Sequence, residues 1–116
     1  GARFPLQAGA SGKVLRAFSQ DAEPALAEVR ERFWARSYGE RDPETTAVSV
    51  PVFAMGYELK GALTLSGPSE RLLKEHVEHA ATILLRNAAI ASNALGGSDR
   101  ELRAALALLS ESMTQR

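Results

Sequence analysis

The segment from Gly9 to Lys13 is glycine-rich and ends in a lysine, a composition typical of loops that bind phosphate. The nucleotide-binding motif needs a glycine separated by four residues from its Gly-Lys pair, and a hydroxyl directly after that pair. Gln7 and Val14 occupy these two positions, so the sequence excludes this motif. A nucleophile elbow centred on Ser11 fails as well, because Lys13 stands where that motif has its last glycine.

The two histidines, His76 and His79, are three residues apart in a stretch with helical periodicity. Together with Glu75 or Glu78 they could bind a metal ion, but this spacing is commonplace. A leucine stripe on the other side of the predicted helix favours a solvent-exposed face for both imidazoles. Neither histidine offers Ser11 a clear catalytic base. We therefore expect no catalysis, no metal site and no cofactor.

Small polar groups on two predicted elements indicate binding rather than catalysis. Thr64 and Ser66 are two residues apart on a predicted strand, so their hydroxyls share one face. Ala10, Ser11 and Gly12 precede a predicted helix, whose free N–H groups favour a carboxylate or another anion. If that loop lies across the sheet end, these groups surround a small acidic molecule. In the alternative, Thr64 and Ser66 are ordinary strand residues and Ser11 is only a helix cap.

Hydrophobic spacing and turn residues predict the elements that would position these groups. Val48, Val50 and Val52 alternate with smaller residues, which indicates a strand. A short connection through Gly56 then predicts an antiparallel hairpin. Pro24 suits the first turn of a helix, and Ser98 begins a Ser-x-x-Glu capping box. The predicted elements are a loop and helix over 5–18, a helix over 24–36, strands over 46–53 and 59–66, and helices over 69–95 and 98–113.

Composition and charge limit the classes of protein that fit this chain. Its 116 residues suit one domain or part of one. The 14 basic and 14 acidic residues cancel, so the basic excess typical of nucleic-acid-binding domains is missing. No cysteine is present, which excludes disulfides and thiol catalysis and fits a reducing compartment. No apolar run approaches the ~20 residues of a membrane span. We expect a soluble, cytoplasmic protein.

Several segments together resemble the effector-binding domain of IclR-type transcriptional regulators. The run PLQAGASGKVL is similar to the loop and helix that open the second half of that domain. The likeness extends from Phe4 to Gly97. It further covers the charged segment 36–40, the adjacent strands 49–53 and 63–68 with their Ser-Gly-Pro end, and the long helix that closes at Leu95 and Gly96.

The resemblance implies an α+β, GAF-like (profilin-like) domain: an antiparallel sheet with helices on both faces, here a fragment incomplete at its N-terminus. It implies a sensor whose effector, an organic acid or aromatic metabolite, alters operator DNA binding by a winged helix-turn-helix outside this chain. It also implies a homodimer or tetramer without membrane attachment. The effector-binding residues implied by position are Ala10, Ser11, Gly12, Ser37, Thr45, Ala47, Thr64 and Ser66.

This chain departs from the family pattern at three positions. Gln7 stands where the family prefers histidine, Ser37 stands where some members carry an acidic ligand-binding residue, and Ala47 replaces a bulkier or thiol side chain. The smaller side chains predict a larger pocket with less charge. Two other functions stay open: a structural dimerisation module whose pocket is filled by side chains, and a small enzyme on a similar scaffold.

Overall fold

One antiparallel sheet organises the computed structural model, which describes residues 9–19, 23–39 and 43–115. Within these residues the sheet has three strands, in the spatial order β1-β2-β3. The chain order of strands and helices is α1 (Gly9–Ala17), a 3-10 turn (Pro24–Leu26), α2 (Ala27–Arg32), β1 (Ala35–Tyr38), β2 (Thr45–Ala54), a 3-10 turn (Met55–Tyr57), β3 (Glu58–Pro68), α3 (Lys74–Ala94) and α4 (Arg100–Thr114).

The predicted hairpin is formed by β2 and β3, each somewhat longer than the valine and leucine pattern indicates. Ser49 pairs with Thr64 and Ala47 pairs with Ser66, so the polar positions of the two strands stand side by side. The pairing shifts between Val52 and Phe53, near the end of β2. Up to that irregularity, strict alternation sends every second side chain of β2 to the same face.

Strand β1 replaces the end of the helix predicted over 24–36, and that prediction is wrong beyond Arg32. Phe33 has a φ of +66°, in the left-handed region that terminates a helix. Ala35 then pairs with Ser49. The aromatic residues at 33 and 34 extend the helical spacing, but Trp34 and Ala35 are buried in two different hydrophobic clusters. Burial of consecutive residues on opposite sides is a strand property, and it overrides the local pattern.

The helix starts also differ from the predicted ones. α1 begins at Gly9, so Ala10, Ser11 and Gly12 are helical rather than a loop, and Ser11 is not an N-cap. The predicted loop over 5–8 lies outside the described residues. α3 begins at Lys74 instead of residue 69, because β3 continues to Pro68 and a turn follows, in which the Leu72 amide donates to the Pro68 carbonyl.

The last helix begins two residues later than predicted. α4 starts at Arg100, and Ser98 Oγ accepts a 3.2 Å hydrogen bond from the Arg100 amide just before the helix. The N-cap of α4 is Asp99, so the predicted capping box between Ser98 and Glu101 is wrong, and Ser98 contributes only this one hydrogen bond before the helix. Beyond its start, α4 packs on α3 and buries Leu102 and Ala105 in the main core.

Helices cover both faces of the sheet, as the predicted α+β fold requires. On one face, Val48 and Val50 of β2 pack in the main hydrophobic core with Val77 and Leu85 of α3. On the other face α1 contacts all three strands. Its side of the sheet has a smaller apolar cluster, which consists of Val14, Ala17, Leu26, Val29 and Ala35. Among the described residues, no helix combines the length and the apolar character that crossing a membrane requires.

Candidate ligand-binding cavity

A cavity of about 130 Å³ lies between the start of α1 and the sheet face that this helix covers. It includes seven of the eight predicted site residues. The eighth, Gly12, is buried in α1 but does not line the cavity. The described lining residues are Gly9, Ala10, Ser11, Ser37, Thr45, Ala47, Thr64 and Ser66.

Strand register brings the polar residues of the cavity together. Ser37 of β1 is the pairing partner of Ala47 of β2, which in turn pairs with Ser66 of β3. These three residues therefore form one row across the sheet. Thr45 and Thr64 lie two residues away from this row on their own strands, so they face the same side. The cavity wall is a consequence of the pairing and needs no irregular backbone.

The hydroxyl groups in and beside the cavity differ in whether they make hydrogen bonds. Ser49, two residues beyond Ala47 on the same sheet face, is fully buried, and its hydroxyl lies 2.9 Å from the Thr64 hydroxyl in a hydrogen bond. Ser37 is only 6 % exposed, and in the part of the chain that the structure describes its hydroxyl makes no hydrogen bond. Its oxygen still reaches the open space of the cavity, because Arg16 Nε is the one fully enclosed side-chain atom without a partner in the described residues. Ser37 therefore offers a hydroxyl that a ligand or a water molecule in the cavity would satisfy.

The first turn of α1 forms the opposite wall. Ala10 is almost fully buried, and Gly9 begins the helix with a φ of +79°. The first N–H groups of a helix have no partner within it and carry partial positive charge. None of the described lining residues is ionisable. The cavity therefore combines hydroxyls with the first turn of a helix, a set that suits a carboxylate.

The size of the cavity limits its occupant. Ligand pockets commonly measure about 300–1,000 Å³, whereas a cavity of ~150 Å³ holds benzene. At about 130 Å³ this cavity matches a molecule near the size of benzene. The small side chains of Ser37 and Ala47 leave the described lining of the cavity uncharged.

The candidate metal ligands of the sequence lie elsewhere. His76 and His79 are exposed on α3, on the other side of the sheet from the cavity. In the described ranges, no three His, Cys, Asp or Glu side chains are grouped closely enough to hold a metal ion.

Two residues of the site, Gly9 and Ser49, are not among the predicted ones. Gly9 lines the cavity because α1 starts earlier than its apolar residues indicate. Ser49 supports the wall through its bond to Thr64. Ser49 is two residues from Ala47 on β2, so the sequence spacing indicates that both side chains lie on the same face. Its partner could be identified only once the cross-strand register was known.

The fold and cavity define an α+β domain with a polar cavity between a short helix and one sheet face. A family model described as "Bacterial transcriptional regulator IclR C-terminal" matches residues 21–93, which is more than half of the chain. The chain belongs to this family of transcriptional regulators. No curated protein matches the chain.

Solved structures agree with this assignment. The chain is similar to an IclR transcriptional regulator from Alicyclobacillus acidocaldarius, with 28 % identity over 83 % of this chain and a TM-score of 0.74. It is also similar to HmgR of Pseudomonas aeruginosa, with 27 % identity over 84 % of the chain and a TM-score of 0.73. The matched regions are 48 % and 47 % of those two proteins, so this chain spans about half their length.

A more distant match shows the fold alone. The inducer-binding domain of the PobR transcription factor from Acinetobacter, a double mutant in complex with 3-hydroxybenzoic acid, has 21 % identity to this chain. The TM-score is 0.64, and the match covers 76 % of this chain and 65 % of that one.

Proposed function

We propose that this chain is the effector-sensing part of a transcriptional regulator and that its effector binds in the cavity between α1 and the sheet. One observation carries the proposal: eight residues from four separate elements line one small polar cavity, and the Ser37 hydroxyl there has no partner among the described residues. A structural module would fill such a space with apolar side chains, because a closely packed interior stabilises the fold.

The chemistry of the lining supports a small carboxylic acid as effector. Hydroxyls of Ser37 and Ser66 can donate to carboxylate oxygens, and the first turn of α1 adds N–H donors. The distant relative that contains 3-hydroxybenzoic acid supports an aromatic acid as the ligand class. That acid is bulkier than benzene, whereas the cavity is about benzene-sized. We therefore favour a small aliphatic acid, or an aromatic acid that widens the cavity slightly.

Effector binding would act on DNA through the rest of the regulator. A ligand shifts an equilibrium between two arrangements only by the difference in its affinity for them. α1 touches all three strands and also contributes to the cavity, so a ligand at its first turn changes how firmly α1 is held on the sheet. We propose that this difference is transmitted, in a cytoplasmic homodimer or tetramer, to an operator-binding domain outside this chain.

Catalysis has little support in the same geometry. An enzyme needs a nucleophile beside a base, or an acid–base pair, close to its substrate. Ser11 and Ser37 have no ionisable neighbour among the described lining residues. The proposed role is therefore binding alone.

A thermal-shift screen tests the proposal. The protein is heated with acetate, pyruvate, lactate, benzoate or 3-hydroxybenzoate, and a specific ligand at ~100 times its dissociation constant stabilises the fold by about 2.7 kcal/mol. The double variant Ser37→Ala and Ser66→Ala should lose most of this shift, because it loses two donors. Ser110→Ala, an exposed residue of α4, is the matched control and should keep the shift. Equal shifts in both variants would place the ligand outside the cavity.

A further inference from the structure

A second cavity, of about 250 Å³, lies beside the first turn of α3. It is on the other side of the sheet from the α1 cavity, because Arg36 and Ser37 are neighbours on β1 and point to opposite faces. The described lining residues are Arg32, Trp34, Arg36, Lys74, Val77 and Glu78.

Arg32 is held rigidly on one wall of this cavity. Its Cζ atom lies 3.7 Å from the centroid of the Trp34 ring, and its Nε donates a 2.8 Å hydrogen bond to the Trp34 carbonyl oxygen. Nη1 donates to the Glu28 carboxylate at 2.8 Å. The indole and the guanidinium therefore form one stacked unit with a fixed orientation.

Positive charge accumulates next to this unit. Burial lowers the pKa of the Arg32 guanidinium, Glu28 opposes this change, and the nearby Arg36 charge lowers that pKa further. Arg36 and Lys74 are exposed, and within the described residues neither side chain takes part in a hydrogen bond or an ion pair. The buried Glu78 already has an interaction partner. Arg36 and Lys74 thus share one cavity with Arg32, whose acidic partner Glu28 lies outside it, and with the carboxylate of Glu78.

We propose that this second cavity binds an organic anion, a carboxylate or phosphate group attached to a flat apolar body. Arg36 and Lys74 would contact the anionic group, and Trp34 with Val77 would contact the body. Arginine matches the planar, bidentate geometry of both groups, and lysine adds a point charge. The volume is close to the lower limit of common ligand pockets. This site is independent of the proposed effector cavity.

Phenyl phosphate is a suitable probe, because Trp34 is the only tryptophan of the 116 residues and lines the cavity. Titration into the full chain should give a saturable change in Trp34 fluorescence and in its indole N–H resonance. Inorganic phosphate and benzoate are titrated in parallel. Weaker binding of inorganic phosphate would show that the apolar body contributes, and benzoate reports whether a carboxylate replaces the phosphate.

Paired variants decide where the probe binds. Arg36→Gln combined with Lys74→Gln should weaken phenyl phosphate at least about tenfold, since two charged donors are lost. Arg86→Gln, exposed on α3 and about 18 Å along the helix from Lys74, should change binding less than about twofold. Ser37→Ala should leave binding unchanged, which separates this proposal from the effector cavity. Arg36, Lys74 and Arg86 are all exposed, so both the double variant and the Arg86 variant should melt at the temperature of the wild-type chain.

Three outcomes would overturn the second site. The first is no saturable change at Trp34 in the wild-type chain. The second is an equal loss in the Arg86→Gln variant, which would mean that the probe responds to overall charge. The third is full binding by the Arg36 and Lys74 double variant.

Discussion

The two faces of the sheet are built from the same strands and differ in the size of their apolar clusters and in the polarity of the strand residues that they present. Val48 and Val50 of β2 are fully buried against α3, in the main core. Ala47 and Ser49, their immediate neighbours in sequence, face α1 and the polar cavity. Because a strand alternates its side chains, stability and binding are assigned to alternate residues. The binding face can therefore change while the core stays intact.

The energetics of the two faces differ in the same way. Each large apolar side chain buried on the α3 face contributes about 1.5–3 kcal/mol. The α1 face has its own small apolar cluster, and beside it the cavity is lined by hydroxyls, of which that of Ser37 has no partner among the described residues. A ligand that accepts a hydrogen bond from this hydroxyl would add stability. Both faces thus contribute to the core, and the α1 face also contains the proposed effector cavity.

Truncation in the α3 core should have the largest effect on stability. Leu85 is fully buried in the main core, so Leu85→Ala should lower the free energy of unfolding by about 2–5 kcal/mol. Urea unfolding followed by circular dichroism measures this change. Ile90→Ala on the same helix is the control, because Ile90 is 57 % exposed and should cost far less. Similar losses for both variants would contradict the assignment of the core to this face.

Substitution of two buried serines, one on each face of the sheet, should have a smaller effect on the free energy of unfolding. Ser92 of α3 is fully buried, and its Oγ accepts a 3.0 Å hydrogen bond from the Phe53 amide. Ser92→Ala leaves that amide unsatisfied and should cost about 1–3 kcal/mol. Ser37→Ala removes a hydroxyl that has no partner in the described part of the chain, so it should be neutral or slightly stabilising. If both substitutions cost the same in urea unfolding, the Ser37 hydroxyl is not a vacant ligand contact.

The sequence was sufficient for the features that depend on alternation. The valines of β2 and the turn at Gly56 indicate a hairpin, and the two-residue spacing of Thr64 and Ser66 places them on one face. The resemblance to the IclR family supplied Ser37, Thr45 and Ala47. The strand register, which the sequence pattern does not specify, places Ser37, Ala47 and Ser66 in one row.

What the sequence could not provide depended on contacts between distant segments. β1 has only four residues. The sequence pattern continues the preceding helix through Trp34 and Ala35, and only the packing of these two side chains into different hydrophobic clusters shows that the helix has ended. The left-handed conformation that ends α2 is adopted by Phe33, so no glycine in the sequence indicates it. The early start of α1 at Gly9 has no capping residue in the local pattern, so Ala10 to Gly12 were expected in a loop. In each case tertiary packing decided against local propensity.

Chemical-shift mapping with the acid that gives the largest thermal shift is the most direct test of the central claim. In ¹⁵N-labelled protein, saturable shifts should concentrate at the amides of Ala10, Ser37, Ala47 and Ser66, which line the cavity. The core amides of α3 should change little. Shifts confined to α3 and α4, with the cavity amides unmoved, would contradict the account of an effector cavity on the α1 face.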